Sequence, residues 1–315
     1  MKLYYFSDPQ GNFGDDLNPW LWPKLIPELS QPTDDDSWLV GIGTLLNHRL
    51  PPTGDLHVMG SGVGYGNAMR NGATCHFHAV RGYKSAKALG LSNSAVVTDA
   101  AVLLRVVGVP QTGLSRERVG VMFTGRSLTN YEWEAVCERL GFLFISCHWP
   151  VDKVLAEIQR CDVLITEAMH GAIVADALRV PWVPVTCSEG VLSFKWEDWL
   201  SSLQLSYEPT IITPLYDVDR HFDWRDRLKI EGKRWLVDVG LWRENWGVAP
   251  LPRRCSAADI DEACRQLVTA AARPGLLSSE ALLDKHVKSF QYRIDKLRSA
   301  MHAATVRFGA GRRAD

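Results

Sequence analysis

Four stretches of the chain place a chemically capable side chain where an apolar run gives way to a helical pattern. In EAMHGAIVADALR, His170 follows the β-type run CDVLIT and precedes Gly171 and a helix expected to open at Ala172. NFGDDL carries Asn12, Asp15 and Asp16 after the first apolar run, AVRGYK carries Arg81, and SFKWEDWL carries Lys195. A histidine supplies or shuttles a proton near neutral pH. The unpaired N–H groups of a helix start, here around Gly171, favour an anion. A guanidinium at a strand end can form a two-pronged pair with a carboxylate or phosphate, and a lysine beside the same helix start adds positive charge. Adjacent carboxylates facing a cleft can accept sugar hydroxyls. Plainer readings stand beside these: helix capping by Asp15 or Asp16 and by Asp99 of VTDAAVLL, a surface ion pair for Arg81, and solvation for Lys195. For His170 the strand-to-helix turn favours the chemical reading over a satisfied structural histidine.

The elements that must hold these residues read as alternating strands and helices. The first third gives short β-type runs, KLYYF, WLVGIG, LHVMG, HFHAV and AVVT, with a short helix from Gly82 to Leu89. QTGLSRER then breaks the periodicity as a linker. From RVGVMFT the order is strand, helix near 130–140, strand FLFIS, helix 151–160, strand VLIT, helix 172–179 and strand WVPV. Such alternation predicts α/β architecture with parallel, doubly wound sheets: two Rossmann-like domains facing across a cleft, GT-B-like, with a helical C-terminal extension. The expected divisions are 1–112, 113–205 and 206–315. GSGVGYG, at 60–66, matches a dinucleotide fingerprint only in part, because no helix pattern follows Gly66 and no acidic residue stands at the required distance. It reads as a tight loop where backbone approaches a ligand or the other domain. Near the end, Leu283, Val287, Phe290, Ile294, Leu297 and Met301 recur at four-three spacing and predict one apolar helix face, with Lys285, Lys288, Arg293, Lys296 and Arg298 on its polar side. The closing GAGRRAD is expected to lack ordered structure.

A chain of 315 residues supports two ordinary domains, and a net charge of -1 argues against wholesale nucleic-acid binding, so an anionic ligand needs a local basic site. The seven cysteines include no CxxC pair and read as reduced core residues, and no metal site is expected. Neither a signal-peptide core nor a membrane-spanning run is present, which points to a cytoplasmic protein.

Taken in order, GNFGDDL, GSGVGYG, AVRGYKSAKALGL, VTDAAVLL and EAMHGAIVADALRVPWVPV resemble the polysaccharide pyruvyl transferase family, nearest to members that decorate bacterial exopolysaccharides of the succinoglycan type. The resemblance covers about residues 1–205. It implies transfer of pyruvate from phosphoenolpyruvate to two hydroxyls of one sugar, giving a cyclic ketal and phosphate, with phosphoenolpyruvate as donor substrate and no further cofactor. It assigns His170 as general acid, with Arg81, Lys195 and Gly171 holding the donor. Asn12, Asp15 and Asp16 fall on the acceptor side, and Asp15, Asp16 and Glu167 are the candidates for orienting or deprotonating the acceptor. The match is looser at Lys195, and Ala168 stands where relatives carry a basic residue. The implied acceptor is a lipid-linked oligosaccharide at the inner face of the cytoplasmic membrane. Peripheral contact there would fall to the segment with Trp235, Trp242 and Trp246 and to the basic side of the last helix. A nucleotide-sugar glycosyltransferase of GT-B type, or a non-catalytic exopolysaccharide assembly protein, are the competing readings.

Overall fold

The computed structural model describes residues 1–31, 35–69, 72–110, 118–187, 191–217, 223–242 and 254–311, with side chains described up to residue 303. In chain order the elements are β1 (Lys2–Tyr4), α1 (Phe13–Leu25), β2 (Ser37–Val40), β3 (Asp55–Ser61), β4 (Thr74–Val80), α2 (Tyr83–Ala88), α3 (Leu104–Val107), β5 (Arg118–Met122), α4 (Gly125–Asn130) and α5 (Trp133–Leu140). There follow β6 (Leu143–Phe144), α6 (Val151–Gln159), β7 (Cys161–Thr166), α7 (Met169–Ala177), β8 (Trp182–Thr186), α8 (Ser193–Leu203), β9 (Thr210–Ile211), α9 (Trp224–Asp238), α10 (Ala257–Ala271) and α11 (Glu280–Gly311).

Every pairing between these strands is parallel, and an isolated antiparallel bridge joins Trp182 to Leu276. One sheet has four strands in the order β1-β2-β3-β4, and the other has five in the order β6-β5-β7-β8-β9. Parallel strands need crossovers, and sheets covered on both faces carry near-continuous apolar runs, which is the pattern of VLIT and WVPV. The expected strand AVVT does not form. Asn93–Ala95 is a short 3-10 turn, and only Val96 bridges β4, at Val80. The linker QTGLSRER falls almost wholly outside the described residues.

The hydrophobic interior runs from one sheet to the other. Phe13, Leu17, Leu21 and Trp22 of α1 belong to the same buried cluster as Ile173 and Val174 of α7, Trp196 and Trp199 of α8 and Phe290 of α11. Apolar burial of this kind contributes roughly 25 cal/mol per Å² removed from water. The last helix uses its apolar face as the spacing predicts: Leu283, Phe290, Ile294 and Leu297 are buried, and Val287 and Met301 pack against the core. Two residues of its polar side are also engaged. Arg293 donates to the carbonyls of His78 and Ser94, and Arg298 pairs with Glu28, whereas Lys285, Lys288 and Lys296 are exposed. The ending expected to lack structure is helical as far as Gly311, and 312–315 lie outside the described residues. Trp235 is 60% exposed, while Trp246 also falls outside the described residues. The cysteines are all free thiols, and burial pushes Cys137 and Cys147 up to about 12. No helix among the described residues is long and apolar enough to cross a membrane.

Candidate functional site

The site is built at the strand ends by two helix starts. α1 begins at Phe13, with Asn12 at its N-cap, and contains Pro19, which has no N–H to donate to the carbonyl of Asp15. Asn18 replaces that donor: its Nδ2 reaches the Asp15 carbonyl at 3.0 Å, and its amide also brackets Ile42 after β2 through both the N–H and the carbonyl. The first turn is therefore tied to the neighbouring strand end, which fixes Asp15. α7 opens at Met169, earlier than the composition suggests, so that His170 lies inside its first turn. Gly171 packs that turn onto the sheet: a Cβ there would lie 2.8 Å from both Met122 Sδ and Thr166 Oγ1. The two helix starts approach so closely that a Cβ on Gly14 would sit 2.1 Å from His170 Nδ1, which only a glycine can accept.

Between these turns lies a cleft of about 540 Å³. Its wall includes Asn12, Asp15, Thr44, Tyr65, Arg49, Arg126, His148, His170 and Lys195, drawn from both sheets. His170 is 17% exposed, and its Nε2 faces Asp99 Oδ2 at 3.7 Å; the other Asp99 oxygen accepts the Ala101 N–H at 3.0 Å. Asp99 thus caps a 3-10 turn, as expected, and in addition stands behind the histidine. Burial pushes the Asp15 carboxyl up to about 6, with the positive charges of His170 and Lys195 pulling the other way and Asp16 adding to the rise. A carboxyl so placed changes protonation near the pH at which proton transfer is useful. Lys195, in the first turn of α8, donates to Tyr65 Oη at 3.0 Å, so the GSGVGYG loop does approach the other half of the chain. Arg49 and Arg126 line the cleft with no acidic partner within reach among the described residues.

The remaining expected residues are not on the cleft wall. Arg81 is fully buried: Nε pairs with Asp198 at 3.0 Å, Nη1 donates to Thr44 Oγ1 at 2.9 Å, and Nη2 to the Val63 carbonyl at 3.0 Å. Its guanidinium does not reach the cleft as the strand-end position suggests, because Asp198 of α8 comes down over it. Gly62 gives it room, since a Cβ there would be 2.4 Å from its Cζ. Thr44, which does face the cleft, stands between Arg81 and the open space. Glu167 is buried too, and its carboxylate accepts from Thr124, Ser127 and the Cys187 N–H, bracing the ends of β5, β7 and β8. Asp16 accepts the Asn12 N–H at 3.0 Å, a capping role. Gly171 is buried in packing. Sequence reasoning passed over His148, Arg49 and Arg126. The signal for His148 was available, since it follows β6 as His170 follows β7, but no glycine-helix pattern drew attention to it.

Comparison with known proteins adds an independent line. Residues 58–189 match the family model described as polysaccharide pyruvyl transferase. The chain is also similar to the succinoglycan biosynthesis protein ExoV of Rhizobium meliloti (strain 1021), with 37% identity over 215 residues, 66% of this chain and 67% of that protein.

Proposed function

The chain belongs to the polysaccharide pyruvyl transferase family, and on that premise we propose that it moves pyruvate from phosphoenolpyruvate to two hydroxyls of one sugar in an exopolysaccharide repeat unit. The products are a cyclic ketal and phosphate. The observation that carries this reading is the joining of His170, Asp15 and Lys195 in one cleft, with the first turn of α7 opening beside them. Phosphoenolpyruvate bears a carboxylate and a phosphate on one small frame, so it needs separate cationic contacts. Lys195 and the α7 N–H groups suit one of these anions, and Arg126 on the cleft wall suits the other. Arg81 contributes from behind by holding Thr44 in the wall.

Ketal formation requires a proton at the methylene carbon, attack of a hydroxyl on the neighbouring carbon, and departure of phosphate. His170 gives the proton to the methylene carbon, with the Asp99 carboxylate behind it at 3.7 Å. Asn12 and Asp15 meet the sugar hydroxyls. In this reading residues 1–112 form the acceptor side and 113–205 the donor side of two Rossmann-like domains in a GT-B-like arrangement, and a cleft wall drawn from both sheets supports it. The chain works in the cytoplasm on a lipid-linked oligosaccharide, with the exposed Lys285, Lys288 and Lys296 attracting an anionic inner membrane face. Reversing those charges lowers binding to anionic vesicles and spares activity on a short soluble acceptor. Unaltered vesicle binding removes the membrane part of the proposal.

The deciding experiment incubates the protein with phosphoenolpyruvate and candidate lipid-linked oligosaccharides, measuring phosphate release and the mass of the product. Phosphate together with the mass gain of a pyruvate ketal supports the reading. Release of a nucleoside diphosphate from a sugar nucleotide instead moves the protein to the glycosyltransferase reading.

A further inference from the structure

We infer that His148 is the general base that takes the proton from the attacking acceptor hydroxyl. The inference rests on the pyruvyl-transfer reading and names a proton acceptor that the expected carboxylates leave open. Asp16 and Glu167 are occupied inside the fold, one by the Asn12 N–H and the other by Thr124, Ser127 and Cys187.

His148 is held by contacts that determine which ring nitrogen is free. The loop after β6 docks on the start of α1, where the Phe13 N–H donates to the Cys147 carbonyl at 2.8 Å. His148 Nδ1 then lies 2.7 Å from the Gly11 carbonyl oxygen. A carbonyl only accepts, so Nδ1 carries the hydrogen, and in the neutral ring the lone pair is on Nε2. Gly11 has φ of +82°, and a Cβ there would press to 3.0 Å from the His148 carbonyl, so the partner loop is shaped for this contact. The Nε2 edge lies against Gly125, where a Cβ would come within 2.9 Å of Cε1 and 3.1 Å of Nε2. That glycine leaves the basic edge uncovered, and His148 lines the same cleft as His170. A base in turn oriented by a second group is the arrangement that proton abstraction requires. The charged and titratable groups sharing the wall with it are Asp8, Asp15, Arg49, Arg126, His170 and Lys195, with Tyr4, Tyr65 and Cys147. Two carboxylates share the wall: Asp8 accepts the Gln10 N–H at 2.9 Å, and Asp15 accepts from Asn12 Nδ2 at 2.5 Å and is raised to about 6 chiefly by burial.

The proton balance closes over one turnover. In the first step the hydroxyl oxygen bonds to the central carbon, and the hydroxyl proton goes to His148 Nε2. The electron pair of the carbon-carbon double bond takes a proton from His170 at the methylene carbon. In the second step the carbon-oxygen bond to phosphate breaks, and His148 returns its proton to the leaving phosphate. The second hydroxyl then bonds to the same carbon and gives its proton to His170, restoring both residues.

The test uses His148→Asn, whose amide nitrogen can still donate to the Gly11 carbonyl while offering no base, and His148→Gln as a second folded control. Both are compared with wild type in phosphate release from phosphoenolpyruvate with an oligosaccharide acceptor across pH. The expected result is a kcat on the order of 100-fold lower or more in both His148 variants, with unchanged melting and unchanged half-saturation by phosphoenolpyruvate. Both His148 variants stay low at every pH where wild type turns over. A His148→Asn or His148→Gln protein that retains wild-type kcat at any of those pH values overturns the assignment. Wild type that releases no phosphate overturns the pyruvyl-transfer reading, and this inference with it.

Discussion

The turns after β4 and β7 are close relatives in sequence, one reading Arg81-Gly82 and the other His170-Gly171, the first pair standing between its strand and its helix and the second inside the first turn of α7. Their fates are opposite. At the first turn α8 packs so tightly that a Cβ on Gly82 would lie 1.8 Å from the Asp198 carbonyl, and the Asp198 side chain captures the guanidinium. At the second, the neighbour is the start of α1, where Gly14 leaves room for an imidazole that still meets open space. A polar residue before a glycine thus marks a strand-to-helix turn, and whether it binds a ligand or another part of the protein depends on the element arriving from elsewhere in the chain. Arg81 and Asp198 are separated by more than a third of the sequence, and together they join the β4–α2 turn to α8.

The comparison is sharpest where the effects are largest. Arg81→Met leaves the Asp198 charge buried without its partner, and the expected loss is about 3–5 kcal/mol of unfolding free energy, read by urea titration. Replacing both, as Arg81→Met with Asp198→Leu, recovers most of that loss. An Arg81 variant of normal stability that saturates poorly with phosphoenolpyruvate would return the residue to the binding site.

His170→Ala is expected to do the reverse, lowering turnover on the order of 100-fold while the melting transition stays in place. Near-normal turnover in the folded variant removes His170 from the chemistry.

Asp15 distinguishes the two turns by pH. Its carboxyl is raised from 3.8 to about 6 mainly by burial, so the protonated form is the one the fold favours. The associated stability is complete below the unfolded value and is lost as pH rises through the folded one. Asp15→Asn should then stabilise the protein by up to about 3 kcal/mol near about pH 8 and have no such effect near about pH 4. Equal melting shifts at both pH values would contradict the burial of the charge.

The smallest effect is expected where β3 meets β4, at His57 Nδ1, 3.0 Å from His78 Nε2, and His76, which pairs with Asp55. His78 is lowered from 6.5 to about 4, by burial first and then by His57, His76, Arg293 and Lys296. For a histidine shifted down, stability is present above the unfolded value and lost as pH falls toward the folded one. His78→Gln should therefore move acid unfolding to a modestly lower pH, followed by circular dichroism, and an unchanged midpoint would show that this cluster does not govern acid sensitivity.

Much of the architecture was legible because parallel α/β structure writes itself locally. The apolar runs of β7 and β8 and the four-three spacing of α11 each require burial of one continuous face, whatever its partner. AVVT misled because a β-rich tetrapeptide still needs a neighbouring strand, and here only Val96 finds one. At the site, Asp15, His170 and Lys195 were legible as strand-end and helix-start residues, and they do meet in the cleft. Arg81 and Glu167 were misread for one reason: a buried charge is recognised by its partners, and those partners are distant in sequence. His148 was invisible for the complementary reason, since its usable nitrogen is defined by Gly11 and Gly125, which lie far from it along the chain.

The sequence by itself determined the succession of strands and helices, the turn that carries His170, the apolar face of α11 and the order of motifs that marks the family. Those properties depend on periodicity and on neighbours within a few residues. Only the tertiary structure decided which charges are spent inside the fold and which face the cleft. That choice depends on desolvation and on the direction from which a second element arrives, and a charged group taken from water keeps its charge only where a partner from another part of the chain meets it.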